Sequence, residues 1–376
     1  MGETILTNAR LVLADRTVDG SVTLRNGLIV AIDTPSRAGG VDLDGDLLLP
    51  GAVDVHTDNL ERQVLPRAGA RWPSRSAMLA HDAQCAVAGV TTVLDALCLG
   101  DLGFDNDRIR TFNDGVADLT ALAGTGILRA EHFLHLRCEL PAEDMLPMFY
   151  DVADHPLVRM VSLMDHAPGV GQYSDLDRYR AMRVADGHAP EAVERQIVAM
   201  NAQRDRLREP NRAALLARIA GRGVALASHD DGTEAEVADN DRLGVRISEF
   251  PVSLAAARAA KARGMTVIAG APNLVRGGSH SGNVSAAALI AAGLVDALAS
   301  DYVPSAMIEA AFVAAGIGDL DLPAAVAMIS DAPARMAGLP DRGRIEVGLR
   351  ADLVRVRVHD GIPVPRATWR GGERVA

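Results

Sequence analysis

The residues best suited to chemistry near the start of this sequence are His56 and Asp58. They end a short apolar strand that follows Pro50 and Gly51. Because side chains alternate between the two faces of a strand, His56 and Asp58 point the same way. An imidazole and a carboxylate on one face suit a borderline cation such as zinc, manganese or iron. The pair therefore predicts a metal ion if the rest of the chain supplies more ligands.

Other imidazoles and carboxylates stand at the ends of later predicted strands. The third strand leads to Glu139, the fourth to His166, the fifth to His229 and the eighth to Asp301. A single histidine of this kind is more often structural. The chain has only ten histidines, however, and their recurrence at successive strand ends is hard to explain by core packing. We therefore predict a metal centre where these strand ends meet.

The elements that must position these residues alternate between apolar strands and Ala-rich helices. Eight such units are the number found in a TIM barrel, so we predict a (β/α)8 barrel of the α/β class. Chemistry in these barrels lies at the C-terminal ends of the strands. The predicted strands are 51–58, 89–97, 129–140, 157–166, 223–230, 245–250, 265–272 and 296–302. The predicted helices are 74–88, 106–123, 191–220, 252–263, 284–293, 305–315 and 322–337.

Both ends of the chain carry short alternating strands separated by turn signals such as Asn26-Gly27. We expect segments 1–49 and 342–376 to pair into a small β-sandwich outside the barrel, which would occupy 50–341. An Arg- and Asp-rich insertion at about 167–210 follows the fourth strand. We expect it to cover the active-site face.

Composition narrows the class of protein. A formal net charge of -11 argues against a nucleic-acid partner, and any polyanionic ligand would need locally placed arginine and metal. The three cysteines have no paired spacing, which is typical of a cytoplasmic protein. The sequence has no apolar run of membrane-spanning length and no signal-peptide pattern. Lys261 is the single lysine, so lysine is almost excluded as a catalyst or metal bridge.

These strand ends, with the closing segment Gly348-x-x-Ala351-Asp352-Leu353-Val354, resemble the amidohydrolase superfamily. In that superfamily the first strand carries His-x-His, later strands add two histidines and the eighth an aspartate. The resemblance implies that the metal ligands are His56, Asp58, Glu139, His166, His229 and Asp301. Asp58 replaces the second histidine of the motif, and Glu139 is the candidate substitute for the carboxylated lysine that often bridges two metals.

Four separated motifs are similar to a narrower branch, the alkylphosphonate-utilisation amidohydrolases. They lie at 56–73, 164–169, 228–231 and 270–283, and Gln63 is one departure from the branch pattern. The resemblance implies hydrolysis of α-D-ribose 1-methylphosphonate 5-triphosphate to the 5-phosphate and pyrophosphate in phosphonate catabolism by the carbon–phosphorus lyase pathway. It also implies two divalent metals, with zinc favoured over manganese or iron. Asp301 would take the proton of the nucleophile, and His229 would ligate or protonate; the sequence does not separate its role from that of His166.

A triphosphate requires cationic and N–H donors. The candidates after the seventh strand are Arg276, Gly277, Gly278, Ser279 and His280, in a Gly-rich loop that leads into a helix. A helix-capping turn is the other interpretation of this loop. Arg67 and Arg71 are candidates for bidentate phosphate contacts, with a solvated surface loop as the alternative.

Several other residues have less certain roles. His132 lies out of phase with Glu139 and is expected outside the site, whereas His135 is in phase but deeper. Glu249 is open between ligand support and substrate contact. Residues expected to be structural, or to support ligands indirectly, are His81, Asp95, Cys138 and Asp230.

Two further functions stay open at this point. One is another amidohydrolase that acts on a C–N bond, either a deaminase or a cyclic amidohydrolase. The other is a non-catalytic subunit of a phosphonate-enzyme assembly. The Arg- and Gly-rich segments favour a polyanionic small molecule, and the full set of strand-end ligands favours an enzyme. A homo-oligomer is possible, but no interface pattern is visible in the sequence.

Overall fold

A computed structural model describes residues 2–103, 107–279 and 282–376. Its strands are β1 (Thr4–Val12), β2 (Thr17–Arg25), β3 (Leu28–Asp33), β4 (Val41–Asp42), β5 (Leu47–Pro50), β6 (Ala52–Thr57), β7 (Val90–Leu99), β8 (Glu131–Glu139), β9 (Val158–Met164), β10 (Ala225–His229), β11 (Ile247–Glu249), β12 (Thr266–Gly270), β13 (Ala297–Ala299), β14 (Leu353–His359), β15 (Ile362–Arg370) and β16 (Glu373–Arg374).

Helices alternate with the central strands. They are α1 (Asn59–Val64), α2 (Ser74–Val87), α3 (Asp107–Leu122), α4 (Met145–Val152), α5 (Leu176–Ala185), α6 (Pro190–Ile219), α7 (Glu234–Arg242), α8 (Leu254–Ala262), α9 (Ala271–Arg276), α10 (Ala286–Ala291), α11 (Ala306–Ala314), α12 (Leu322–Ala327) and α13 (Asp331–Met336). Among the described residues, no helix combines the length and apolar character needed to span a membrane.

Strands β6 to β13 form the predicted parallel barrel, with each strand beside its neighbour in sequence. A parallel bridge between Thr57 and Asp301 joins the last strand end to the first. Asp301 N–H donates to His56 C=O, and Asp58 N–H donates to Asp301 C=O, each at 2.9 Å. The α/β barrel and all eight of its predicted strands are confirmed, and the closing contacts lie at the end where the chemistry was expected.

The barrel forms because its strands are apolar on both faces, as strands buried between a barrel interior and a helical layer must be. Val53, Val55 and Leu94 help to fill the interior. Outward-facing residues such as Val93 and Leu134 pack against the surrounding helices. The interior is therefore a packed core, and space for a ligand is left only at the ends of the strands.

The helix predicted at 322–337 is interrupted between α12 and α13. In a continuous helix the ring of Pro333 would clash with the carbonyl of Ile329, four residues earlier. That carbonyl instead accepts the Val53 N–H at 2.8 Å and ties the break to the first barrel strand. Helices that were not predicted, such as α1, α4, α7 and α9, are short.

The two ends of the chain form a second sheet, as expected from their β-rich sequence. Its strands run in the order β16-β15-β14-β5-β1-β2-β3, with β4 beside β1, so they belong to one continuous mixed sheet. Leu6, Val22, Leu48 and Trp369 belong to a hydrophobic core of its own. The chain passes from this sheet into the barrel at Gly51, where a Cβ would clash with the side chain of Thr91. The domain limits at 49/50 and 341/342 remain predictions.

The insertion after β9 contains a 3-10 turn at Gly171–Tyr173, α5 and the first part of α6. Asp175 caps α5 by accepting the N–H groups of Asp177 and Arg178. Two arginines of α6, Arg204 and Arg208, donate from Nε to Asp165 Oδ2 at 2.7 and 2.9 Å. Because Asp165 precedes His166, these ion pairs fix the insertion directly beside a predicted ligand.

Candidate active site and metal centre

A cavity of about 570 Å³ opens at the C-terminal ends of the barrel strands. Of the predicted metal ligands, it is lined by His56, Asp58, His166, His229 and Asp301. Of the predicted substrate contacts, it is lined by Arg276, Gly278 and Ser279. The closure of the barrel therefore brings together side chains that are up to 245 residues apart in sequence, at the end where chemistry was expected.

Glu249, at the end of β11, holds two of these histidines. Its Oε1 accepts from His56 Nδ1 and its Oε2 from His229 Nδ1, both at 2.8 Å. Ser162 Oγ also donates to Oε2, at 2.9 Å. With both Nδ1 atoms engaged, Nε2 is the ring nitrogen that each imidazole has left for a metal or substrate.

The charge states follow from burial in this group. Burial lowers the pKa of His56 to about 4, although Glu249 acts in the opposite direction. Burial also lowers the pKa of His229, but the carboxylates of Asp230 and Glu249 outweigh it and the net shift is upward. The pKa of Glu249 lies well below its ordinary value, because the surrounding histidines outweigh its burial. Glu249 is thus an anion at neutral pH, with 0% of its surface exposed.

A second carboxylate, Glu139, holds His166. Glu139 Oε1 accepts the backbone N–H of His166 at 2.8 Å, and Oε2 is 2.5 Å from its Nδ1. The Nε2 atom of His166 is then directed towards His229 and Asp230. Both Glu139 oxygens already accept hydrogen bonds from His166, so its part as a metal ligand remains a prediction.

Asp230 completes a triad of ligand types with His166 and His229. Its Oδ2 lies 3.8 Å from His166 Nε2 and 3.7 Å from His229 Nε2. These separations are too long for hydrogen bonds, but ligand atoms of a tetrahedral zinc site lie about 3.3 Å apart. Asp230 Oδ2 and His56 Nε2 are buried atoms without hydrogen-bond partners in the described part of the chain. Buried polar atoms are rarely left in this state, and coordination to divalent cations would satisfy them. The residues present therefore fit a metal.

The backbone is strained where the strands end in this cavity. Asp230, Phe250 and Asp301 each adopt a positive φ, at 55°, 53° and 54°. Such a φ is tolerated by aspartate but is unusual for phenylalanine. Phe250 has its ring 5.0 Å from that of His56 and 5.5 Å from that of His229. Strain of this kind clusters at functional sites, where it points side chains in directions that a regular strand does not allow.

Asp58 and Asp301 form the acidic side of the cavity. Burial raises the pKa of Asp58 to about 6, and the charge of Asp301 adds to the rise. Burial likewise raises the pKa of Asp301 to about 6, against the lowering effect of Arg137. Arg137 Nη1 lies 3.4 Å from Asp58 Oδ2. The buried guanidinium of Arg137 thus contacts Asp58 and acts on Asp301 through its charge.

Comparison with known proteins agrees with this arrangement. The chain is 42% identical to the α-D-ribose 1-methylphosphonate 5-triphosphate diphosphatase of Escherichia coli (strain K12), over 99% of this chain and 100% of that protein. A family model described as "Amidohydrolase family" matches residues 217–376. The chain belongs to the amidohydrolase family.

Solved structures share the fold of this amidohydrolase. N-isopropylammelide isopropylaminohydrolase from Burkholderia multivorans has a TM-score of 0.65 and 17% identity, over 100% of this chain and 98% of that one. An N-acetyl-D-glucosamine-6-phosphate deacetylase mutant from Mycobacterium smegmatis has a TM-score of 0.65 and 16% identity, over 100% of both chains. At this identity the likeness concerns the barrel and its appended sheet.

Some predicted substrate contacts of the amidohydrolase lie elsewhere. Arg71 is not among the residues that line the cavity; it donates to Asp114 at 2.9 Å and to Thr111 at 3.1 Å, on α3. Arg67 is exposed and also outside the lining. Gly277 ends α9 with φ 82° and does not line the cavity, and His280 lies outside the described residues.

Two arginines that line the cavity were missed. Arg137 lies on β8 between His135 and Glu139, and alternation along the strand places all three on one face. That signal was present in the sequence. Arg108 near the start of α3 also lines the cavity, but no pattern in its helix points there.

Three further histidines, His81, His132 and His135, are buried behind the site. His135 Nδ1 is 2.9 Å from the carbonyl of Val55, and its ring lies 5.1 Å from that of His56, so it packs under a predicted ligand. Burial lowers the pKa of His135 to about 3, so it is neutral. His81 and His132 both pair with Asp95, at 2.8 Å each, in a separate buried cluster between α2, β7 and β8.

Proposed function

We propose that this amidohydrolase hydrolyses α-D-ribose 1-methylphosphonate 5-triphosphate to the 5-phosphate and pyrophosphate, in phosphonate catabolism. The observation that carries the proposal is the match, along the full length of both chains, to a relative of that name. The cavity gives independent support, because it combines candidate metal ligands with the guanidinium groups of Arg108, Arg137 and Arg276.

Charge decides between this substrate and a neutral one. Three carboxylates, Asp58, Asp230 and Asp301, line the cavity together with the three arginines. With one or two divalent cations bound, the lining would carry a net positive charge. Such a charge attracts a polyanion, whereas a neutral amide or purine would not compensate it. Hydrolysis of a C–N bond by a deaminase or cyclic amidohydrolase is therefore the less favoured reaction.

The residues that would hold the metal are His56, His166, His229 and Asp230, with Asp58 and Asp301 beside them. Mixed imidazole and carboxylate donors suit zinc first, with manganese and iron as alternatives, and we propose two ions. A bound divalent cation would supply Lewis-acid polarisation of a phosphoryl oxygen. Glu249 and Glu139 would keep the ring nitrogens of their histidines correctly oriented.

The chain's own residues would perform the proton transfer and hold the charge. Asp301, held at the barrel closure, takes the proton of the attacking water. Burial raises the pKa of its carboxyl to about 6, and a cation bound beside it would offset part of that rise. The arginines neutralise the phosphoryl oxygens, which is most of what phosphoryl transfer requires. Because a triphosphate does not cross membranes unaided, we also propose a cytoplasmic location.

The test is phosphorus NMR of the protein with the ribose triphosphate, with and without a chelator. We expect a pyrophosphate signal that disappears with the chelator and returns when zinc or manganese is added. If fully metallated protein leaves the triphosphate intact and instead releases ammonia from purines or opens cyclic amides, the proposal is wrong.

A further inference from the structure

Arg137 is a buried cation with incomplete pairing. Only 8% of the residue is exposed, and it lines the cavity beside the acidic pair Asp58 and Asp301. Its Nη1 has a long contact of 3.4 Å to Asp58 Oδ2, and its Nε has no hydrogen-bond partner among the described residues. The same strand places Glu139 on this face, but both Glu139 oxygens are bonded to His166.

A guanidinium buried in this way destabilises the fold unless a further anion accepts its remaining hydrogen bonds. A buried charge is normally paired and hydrogen-bonded, and arginine prefers two parallel bonds to one carboxylate or phosphate. Arg342 shows the ordinary case in this chain: it is 4% exposed and donates to Glu131, Asp341 and Thr92. Arg137 therefore has donor capacity that the described residues leave unused, at the wall of the cavity.

The three arginines of the cavity lie at different depths. Arg137 is buried at the barrel end, Arg108 is half-buried on α3, and Arg276 is exposed at the end of α9. Only Arg137 is in contact with a residue of the acidic pair. A linear polyanion that reaches the metal ligands would thus meet Arg137 at its innermost phosphoryl group.

We infer that Arg137 is a catalytic residue that donates to a non-bridging oxygen of the phosphoryl group under attack. This inference rests on the proposed function. In the step, the oxygen of water forms a bond to the α phosphorus, and the bond from that phosphorus to the bridging oxygen breaks. The electron pair leaves with pyrophosphate, and the proton passes to Asp301. Arg137 neutralises the charge on the equatorial oxygens, while Arg108 and Arg276 bind the outer phosphates.

The decisive variants are Arg137→Met and Arg137→Lys, with Arg342→Lys as a matched buried arginine outside the cavity. We expect Arg137→Met to lower kcat about 100- to 1000-fold, the range for removal of one preorganised donor, with KM changed less than about fivefold. Arg137→Lys keeps the positive charge but loses the forked, two-donor geometry of the guanidinium, and it should recover part of kcat. Arg342→Lys should reduce stability and leave kcat unchanged.

Metal content and ground-state binding separate this role from a structural one. Inorganic tripolyphosphate serves as the probe, and calorimetry of metallated Arg137→Met should give a Kd within about fivefold of the unsubstituted protein. Loss of metal from Arg137→Met would overturn the inference, because Arg137 would then only support Asp58. A kcat within threefold would also overturn it.

The inference and the proposed function can fail separately. If the unsubstituted protein releases no pyrophosphate, the proposed function fails, and the inference fails with it. If the unsubstituted protein is active but Arg137→Met matches its kcat, only the inference fails. Should Arg137→Met not fold, Arg137→Lys decides: full kcat would show that the fork geometry does not matter and would overturn the inference.

Discussion

The backbone N–H of Asp301 donates to the carbonyl of His56 at 2.9 Å, between the last and the first barrel strand. The two residues are 245 positions apart, and both line the cavity. The contact that closes the barrel is thus also the one that sets the proposed base beside a proposed ligand. Disturbance of the Asp301 backbone should therefore affect the fold, whereas a change confined to its carboxyl should affect chemistry.

Asp301→Asn tests the carboxyl alone. Asparagine tolerates the φ of 54° at this position, so the backbone and the barrel closure should survive. An amide cannot take the proton of the attacking water, so kcat should fall by at least about 100-fold. Phosphorus NMR gives the rate, and circular dichroism with elemental analysis gives the fold and metal content. Near-normal turnover in a folded, metallated variant would remove Asp301 as the base.

The sequence predicts the barrel well because its signals are local. Apolar runs bounded by turn residues gave all eight strands. His56 and Asp58 both line the cavity as predicted, although Asp58 lies just beyond β6, at the start of α1. Five of the six ligands predicted at strand ends line the cavity, because topology brings the strand ends together; Glu139 instead lies behind His166. The terminal segments were predictable for the same reason, since their strands carry hairpin signals such as Asn26-Gly27.

What the sequence does not predict depends on contacts between distant segments. Arg71 lies in a loop and Arg108 near the start of a helix. Arg71 forms an ion pair with Asp114, whereas Arg108 lines the cavity. Only packing distinguishes them. The positive φ of Phe250 likewise cannot be predicted from the sequence, because phenylalanine does not favour that backbone conformation. The sequence shows that Glu249 lies at a strand end, but it does not show that Glu249 accepts hydrogen bonds from His56 and His229.

Glu249→Gln should weaken metal binding. A glutamine cannot accept from both His56 and His229, because one of its two terminal atoms is a donor. Loss of such an orienting partner typically lowers metal affinity about 10- to 100-fold. Zinc competition with a chromogenic chelator measures the change. The matched control is Glu131→Gln. Glu131 begins β8, at the end of the barrel away from the cavity, and pairs with Arg342 and Arg350. Equal metal affinities in the two variants would contradict the orienting role.

Arg276→Ala and Arg71→Ala distinguish a substrate contact from a structural ion pair. Arg276 is exposed in the cavity lining, so its removal should raise KM for the triphosphate about tenfold, with little change in stability. Arg71 pairs with Asp107 and Asp114, so its removal should leave KM unchanged and lower the free energy of unfolding by about 1 kcal/mol. Steady-state kinetics and urea unfolding measure both effects. A raised KM in Arg71→Ala would restore the sequence-based assignment of Arg71 to the substrate.

The buried cluster behind the site predicts a loss of stability in alkali. Burial lowers the pKa of His132, but the carboxylates of Asp95 and Asp82 outweigh it and raise the pKa to about 9. A histidine whose pKa is raised on folding stabilises fully below its unfolded value of about 6.5, and the effect is lost as the pH rises through 9.

His132→Gln tests this effect, because groups that do not contact His132 titrate equally in both proteins. Between pH 6.5 and 9.5 the free energy of unfolding of the unsubstituted protein should fall by an additional ~3 kcal/mol relative to His132→Gln. Urea unfolding at several pH values provides the comparison. The acid side serves as an internal check: the cluster lowers the pKa of Asp95 to about 2, since the histidines outweigh its burial, so the stabilisation by Asp95 should persist to pH 4 and decline below it. Parallel curves for the two proteins above pH 6.5 would show that His132 is neutral in the folded state.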